Sequence, residues 1–167
     1  MPDRAPDPEC VAARTVLLDA REAVGDQREA AIVAGAQAIY LQAGAPVLAL
    51  ADLTTDADLA LDPTLLSPIP DLEAMLKRKG FEHVEHDGVA EPGSWQIDAL
   101  VRGKPTKITL DLIVPAGASP GGRRGARLGP HGRRAARRSA GLEAALVDNE
   151  VMTIGALDPG STRRSLS

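Results

Sequence analysis

The spacing of apolar positions predicts a helix, a strand and a second helix near the start of the chain. Over residues 11–24 the apolar residues share one helical face, with the charged residues outside it. The short apolar run over residues 30–34 ends at a glycine and is typical of a buried strand. Residues 37–42 indicate a short helix, which Gly44 and Pro46 bring to an end.

The later pattern predicts more strands than helices. The predicted elements are a strand over 59–61, a helix over 70–79 and strands over 81–85, 95–101 and 107–114. The last two strands are joined at residues 102–105, which predict a hairpin. The fold class expected from this order is α/β (α+β), with a mixed sheet of about four to five strands flanked by helices.

Changes in composition divide the chain into four regions. Residues 1–10 predict a disordered lead, residues 11–115 form the core, and residues 139–167 form a C-terminal extension. Residues 116–138 are rich in Gly, Pro and Arg, and predict a long loop that leads into a helical turn and exposes His131.

Charge and cysteine content narrow the class of protein. The net charge of -4 is the sum of -9 over residues 1–122 and +5 over residues 123–167. A single cysteine excludes a disulfide framework within the chain, and no apolar run is long enough to cross a membrane. With no signal-peptide pattern at the N-terminus, we expect a cytoplasmic protein.

Two aspartates two residues apart are the strongest chemical signal. Asp56 and Asp58 precede the apolar run at residues 59–61, and residues i and i+2 of a strand share one face. Adjacent carboxylates repel each other unless a cation lies between them, and Mg²⁺ prefers oxygen ligands. The alternative is a solvated strand end or turn.

Two further features strengthen the metal hypothesis. Gly35 and Ala36 lie between a predicted strand and a helix, where small residues allow backbone N–H groups to approach a phosphate. Asp111 lies within an apolar strand and needs a partner if it is buried. The alternatives are an ordinary structural turn and an aspartate on a solvent-facing edge strand.

This order of parts resembles the nucleotidyltransferase superfamily, which has the polymerase-beta-like fold. The family pattern is an apolar residue, Gly, and Gly or Ser, followed by D-x-D and a third acid on a later strand. The counterparts here are residues 33–36, Asp56, Asp58 and Asp111. Residues 34–41 and 54–59 look most like the AbiEii-type branch, which includes toxins of toxin–antitoxin systems. The resemblance covers about residues 30–115 and is weaker up to residue 150.

The resemblance implies a role for each matching position. Asp56, Asp58 and Asp111 would be the catalytic residues and would bind Mg²⁺, with Asp111 favouring deprotonation of the acceptor hydroxyl. The nucleotide-binding positions would be Gly35, Ala36, Gln37 and Thr55. The implied partners are an NTP, an RNA acceptor and an antitoxin protein.

The chain departs from the family at two places. Ala36 stands where the family has a second Gly or Ser, and the sequence stops at Ser167 before the helical region that carries a phosphate-binding basic residue. A non-catalytic or truncated protein of the same fold, acting by binding a partner or nucleic acid, is therefore the alternative. The arginine cluster within residues 123–138 is expected either to bind RNA or triphosphate or to be a solvated loop.

Overall fold

The computed structural model describes residues 6–43, 55–119, 124–157 and 165–166. The helices among these residues are α1 (Pro8–Ala23), α2 (Gly35–Ala43) and α3 (Leu72–Lys79). The strands are β1 (Ala31–Ala34), β2 (Asp56–Leu61), β3 (Glu82–His86), β4 (Val89–Val101), β5 (Lys104–Pro115), β6 (Arg137–Ser139), β7 (Ile154–Gly155) and β8 (Ser165–Leu166). Short 3-10 turns cover Gly25–Ala30, Ala116–Ala118, Gly129–His131 and Glu143–Leu146.

The main sheet of the described residues has six strands and is mixed. Its order is β1-β2-β5-β4-β3, with β6 paired to β5, while β7 and β8 pair separately. The pairs β2–β5 and β5–β6 are parallel, and the other pairs of this sheet are antiparallel. The predicted mixed α/β fold class is therefore confirmed.

Local sequence signals fix the helix ends. Asp7 caps α1 by accepting a hydrogen bond from the Glu9 N–H at 2.8 Å, and Asp71 caps α3 by accepting one from the Glu73 N–H at 2.9 Å. Gly80 ends α3 in the left-handed conformation, with a φ of 100°. The predicted helix over residues 70–79 is thus confirmed, with its first turn two residues later.

The core lies on one face of the sheet. Helix α1 packs across β2, β4 and β5 and also contacts α3. Leu59, Trp95 and Leu110 are fully buried within this layer. Because successive side chains of a strand point to opposite faces, Asp56 and Asp58 lie on the face away from this core.

Three predicted boundaries need correction. Helix α1 begins at Pro8, so residues 8–10 of the predicted disordered lead are helical and Cys10 is buried. Strand β2 begins at Asp56, so the D-x-D pair lies within the strand and not before it. Strand β4 begins at Val89, six residues before the predicted start.

The region predicted as a long loop also differs from expectation. Strand β6 adds residues 137–139 to the core sheet, whereas the predicted core ends at residue 115. His131, expected to be exposed, is 2% exposed, and its Nδ1 accepts a hydrogen bond from the Leu72 N–H at 3.3 Å. The sequence could not show these long-range contacts because local composition alone favours a loop.

Of the remaining predictions, one is confirmed and others concern residues outside those that the structure describes. The predicted hairpin is confirmed: Arg102 and Gly103 have φ values of 51° and 76°, as a tight hairpin turn requires. The helix-ending residues Gly44 and Pro46, and Arg123 of the arginine cluster, lie outside the described residues. None of the described helices is long and apolar enough to cross a membrane.

Candidate functional site

Two neighbouring parallel strands bring the three predicted aspartates together. In the register of β2 and β5, Asp58 is opposite Asp111 and Asp56 is opposite Thr109. Residues opposite each other on paired strands project from the same face of the sheet. The structure therefore places Asp56, Asp58 and Asp111 on one face, away from the core.

The glycine turn lies against this carboxylate group. Strand β1 pairs with β2 so that Ala34 is opposite Asp58, and helix α2 then begins at Gly35. A Cβ atom added to Gly35 would lie 2.1 Å from Asp58 Oδ2, and the φ of Gly35 is +64°. Only glycine fits this position, because any side chain would displace the carboxylate and strain the backbone. The start of α2 is thus in direct contact with the D-x-D pair.

Two of the three carboxylates already have partners. Asp111 accepts a hydrogen bond from Ser94 Oγ at 2.8 Å through Oδ1 and pairs with Arg137 Nη2 at 2.6 Å through Oδ2. Asp56 Oδ1 accepts hydrogen bonds from the hydroxyl of Thr109 and, at 3.2 Å, from that of Thr55. Each of these partners holds its carboxylate in a defined orientation.

Asp58 differs from its neighbours in its electrostatic environment. Burial raises the pKa of the Asp58 carboxyl, the negative charges of Asp111 and Asp56 raise it further, and Arg137 opposes this effect. No hydrogen bond to this carboxylate comes from the described part of the chain. Three carboxylates with one paired guanidinium leave a local excess of negative charge, which favours binding of a cation.

The chemistry of these residues suits Mg²⁺, but their arrangement does not. Carboxylate and hydroxyl oxygens are the ligands that Mg²⁺ prefers. As they are arranged, however, the His, Cys, Asp and Glu side chains of the described ranges form no group of three that could hold a metal ion. Asp111 is directed to Arg137 and Asp56 to Thr109, so the present arrangement does not fit the metal.

The predicted nucleotide-binding positions on α2 do not all lie at the aspartates. Gly35 and Ala36 begin α2 beside Asp58, as the phosphate-cradle hypothesis requires. Gln37 is buried, and its Oε1 accepts a hydrogen bond from Arg14 Nε at 2.8 Å. Its amide is therefore directed toward α1, and Gln37 is not part of the proposed site.

Sequence reasoning missed the two residues that bind Asp111. Ser94 could have been found, because a hairpin turning at Arg102 and Gly103 sets the register that places Ser94 opposite Asp111. Arg137 gave no such signal, since its strand has three residues and lies 26 positions away along the chain.

The arginine-rich segment is anchored to the core by its apolar residues. Trp95 Nε1 donates a hydrogen bond to the Ala135 carbonyl at 3.0 Å, and His131 contacts the first turn of α3. The buried apolar residues of this segment are Ala126, Leu128, Ala135 and Ala136. Its exposed arginines are Arg124, Arg127, Arg133 and Arg134. The segment therefore presents its positive charge outward from a fixed backbone.

Comparison of the chain with protein-family models, curated proteins and solved structures found no significant match.

Proposed function

We propose that this protein is a Mg²⁺-dependent nucleotidyltransferase that moves a nucleoside monophosphate from an NTP to an acceptor hydroxyl. The observation that carries the proposal is the register of two parallel strands, which aligns Asp58 with Asp111. Asp56 on the same face and Gly35 against Asp58 supply the remaining parts of the pattern that the sequence resembles. Nucleotidyl transfer depends mainly on positioning and charge stabilisation, which such a cluster provides.

Each residue has a role in the proposed reaction. The acceptor oxygen attacks the α-phosphorus of the NTP, the bond to the pyrophosphate oxygen breaks so that pyrophosphate leaves, and the hydroxyl proton passes to solvent water. Asp111 would favour the loss of that proton, and Asp56 and Asp58 would hold the Mg²⁺ that accompanies the triphosphate. Backbone N–H groups of Gly35 and Ala36 lie at the start of α2, where the helix dipole favours a phosphate.

Mg²⁺ would supply charge neutralisation for the triphosphate when it is bound. The residues that would hold it are Asp56, Asp58 and Asp111, in an arrangement different from the present one. Because Asp111 is paired with Arg137, this proposal requires Asp111 to leave that ion pair before it can bind a metal.

The proposed acceptor is RNA in the cytoplasm, with an antitoxin protein as the regulatory partner. The four exposed arginines of the anchored segment support a polyanionic acceptor, because each phosphate that an arginine contacts adds salt-dependent affinity. No interleaved aromatic residue accompanies them, so contacts with the phosphate backbone are favoured over base stacking.

A second candidate function is non-catalytic binding of a nucleotide or nucleic acid. The specific observation in its favour is the Arg137–Asp111 pair, which supplies the carboxylate group with a positive charge from the protein itself. Under this alternative Arg137 remains in place and no metal binds.

Thermal unfolding in the presence of each NTP, with and without MgCl₂, distinguishes the two candidates. A ligand raises the stability of the state that binds it. The enzyme proposal predicts that one or more NTPs raise the melting temperature only when Mg²⁺ is present. Stabilisation by an NTP in EDTA, with no further effect of Mg²⁺, supports the binding protein instead. If no NTP stabilises the chain in either buffer, the enzyme proposal and non-catalytic binding of a nucleotide are both wrong.

A further inference from the structure

A cavity that none of the three aspartates lines lies at the edge of the main sheet. It has a volume of about 470 Å³, within the range of small-molecule sites. Its apolar wall is built from the edge strand β1, from helix α2 and from the segment before β7. The apolar side chains that form this wall are Ile32, Val33, Leu41, Val151, Met152 and Ile154. None of Asp56, Asp58 or Asp111 lines it.

Two arginines lie in the lining of this cavity. Arg21 is half-buried at the end of α1, and its Nη1 donates a hydrogen bond to the Ala31 carbonyl at 2.8 Å. Arg28 lies in the following 3-10 turn and also lines the cavity. Burial lowers the pKa of Arg21, and the positive charge of Arg28 lowers it further. The two guanidinium groups therefore repel each other, and an anion between them would relieve that repulsion.

The ion pairs of the described residues leave both arginines without a carboxylate partner. Arg21 uses one N–H group on the edge strand, which leaves other donors of its planar fork for a ligand. Arginine pairs of this kind suit phosphate, because the fork forms parallel hydrogen bonds to its oxygens.

The other residues of the cavity restrict the kind of anion. Glu29 and Glu150 line it as well and are exposed, so the lining has no net positive charge that would attract a long polyanion such as RNA. A single phosphate monoester carries between about 1.5 and 2 negative charges at neutral pH and matches two arginines. The apolar wall requires that the rest of the ligand be apolar.

We infer that this cavity is a binding site for a phosphate monoester with an apolar body, distinct from the aspartate cluster. The phosphate contacts Arg21 and Arg28, and the apolar body packs on Ile32, Val33 and Met152. This site does not depend on the proposed transferase activity.

Calorimetric titration of the full chain with phenyl phosphate tests the inference. Phenyl sulfate, which is similar in shape but carries one charge, and inorganic phosphate, which lacks the ring, are the comparison ligands. Arg28→Gln is the informative variant because Arg28 is exposed and its loss leaves the backbone bond of Arg21 intact. Arg78→Gln is the matched control: Arg78 is exposed on α3 and does not line this cavity.

The expected result is saturable binding of phenyl phosphate that weakens about tenfold or more in Arg28→Gln and is unchanged in Arg78→Gln, as loss of a charged hydrogen bond implies. Both comparison ligands should bind more weakly, and amide resonances of Ile32, Val33 and Met152 should shift. The inference is overturned if phenyl phosphate does not bind, if the two variants lose affinity equally, or if inorganic phosphate binds as tightly as phenyl phosphate.

Discussion

Arg137 Nη2 lies 2.6 Å from Asp111 Oδ2, so the short strand β6 supplies a positive charge to the aspartate cluster. This relationship has a structural cause in β4. Gly93 has a φ of +76°, and a Cβ atom there would lie 2.4 Å from the Arg137 backbone nitrogen. Strand β4 pairs with β5 as far as Ser94, which lies opposite Asp111. Past that point along β5, β6 lies next to β5 in place of β4. The guanidinium reaches the cluster because this exchange of strands places Arg137 opposite Ile113.

The first prediction concerns the counter-charge at Asp111. Replacing Arg137 by Ala should lower the free energy of unfolding by about 1–2 kcal/mol, because Asp111 and Asp58 then repel each other without compensation. Millimolar MgCl₂ should restore more of this stability in the variant than it adds to the unmodified chain. Urea unfolding with and without MgCl₂ measures both effects.

Arg134→Ala is the matched control, because Arg134 is exposed in the same segment and its side chain has no described partner. It should unfold like the unmodified chain in both buffers. Equal destabilisation by the two substitutions would show that the Arg137–Asp111 ion pair does not contribute to stability.

The second prediction concerns pH. The pKa of Asp58 is raised above its ordinary value of 3.8, so the folded state holds its proton at a pH where the unfolded state has lost it. Its contribution to stability is therefore present below about pH 3.8 and is lost as the pH rises through the higher folded pKa. Asp58→Asn should be more stable than the unmodified chain at pH 7, and this advantage should disappear as the pH falls to 4.

Unfolding measured across this pH range with Asp148→Asn as the control checks the sign. Asp148 is exposed, so its substitution should show no comparable pH-dependent gain. A stability advantage of Asp58→Asn that grows on acidification would contradict the electrostatic description of the cluster.

The third prediction separates backbone strain from contact with the cluster. Gly35→Ala and Gly129→Ala both place a side chain at positive φ, +64° and +59°, which costs about 1–2 kcal/mol in each case. Only at Gly35 does the new Cβ meet the Asp58 carboxylate; the space at Gly129 is open. Gly35→Ala should therefore lose more stability than Gly129→Ala, and it should also lose any stabilisation by NTP.

Differential scanning calorimetry of the two variants measures this difference directly. Equal melting temperatures, together with unchanged NTP stabilisation, would mean that Asp58 and Gly35 are not in the contact that the structure describes.

Local patterns in the sequence predicted that Asp56 and Asp58 share one face, whereas the position of Arg137 depends on long-range packing. The alternation in β2 put Asp56 and Asp58 on one face, and the hairpin turn at Arg102 and Gly103 fixes which residue lies opposite Asp111. These features repeat every two residues or depend on a single turn, so they are visible in the sequence.

Arg137 could not be predicted for the opposite reason. Its strand is too short for a periodic pattern, and its position depends on Gly93, on the Ala135 carbonyl that binds Trp95, and on buried His131. A segment rich in Gly, Pro and Arg predicts a loop when only neighbouring residues are considered, whereas contacts with distant residues fix its backbone here.

The fourth prediction tests whether the arginine-rich segment is anchored as described. His131→Leu removes the acceptor for the buried Leu72 N–H and should destabilise the protein by about 1–3 kcal/mol. Trypsin should then cleave after Arg127 and Arg133 faster than in the unmodified chain, since local opening exposes the backbone. Mass spectrometry of the early fragments identifies the cleavage sites.

His86→Leu is the control, because His86 is exposed and contacts only the Glu91 carboxylate at 3.3 Å among its described ion pairs. Its cleavage pattern should match that of the unmodified chain. Rapid cleavage at Arg127 in the unmodified chain would show that the segment is a free loop after all.

The most direct test of the central claim is transfer of a labelled nucleotide to RNA. The full chain, incubated with MgCl₂, RNA and each of the four α-labelled NTPs, should attach label to RNA with at least one of them. The double variant Asp56→Asn/Asp58→Asn should remain folded and lose transfer by about a hundredfold or more, as removal of transition-state charge stabilisation implies. Asp148→Asn should transfer at the unmodified rate. Transfer retained by the double variant, or absent from the unmodified chain with all four NTPs, would contradict the account.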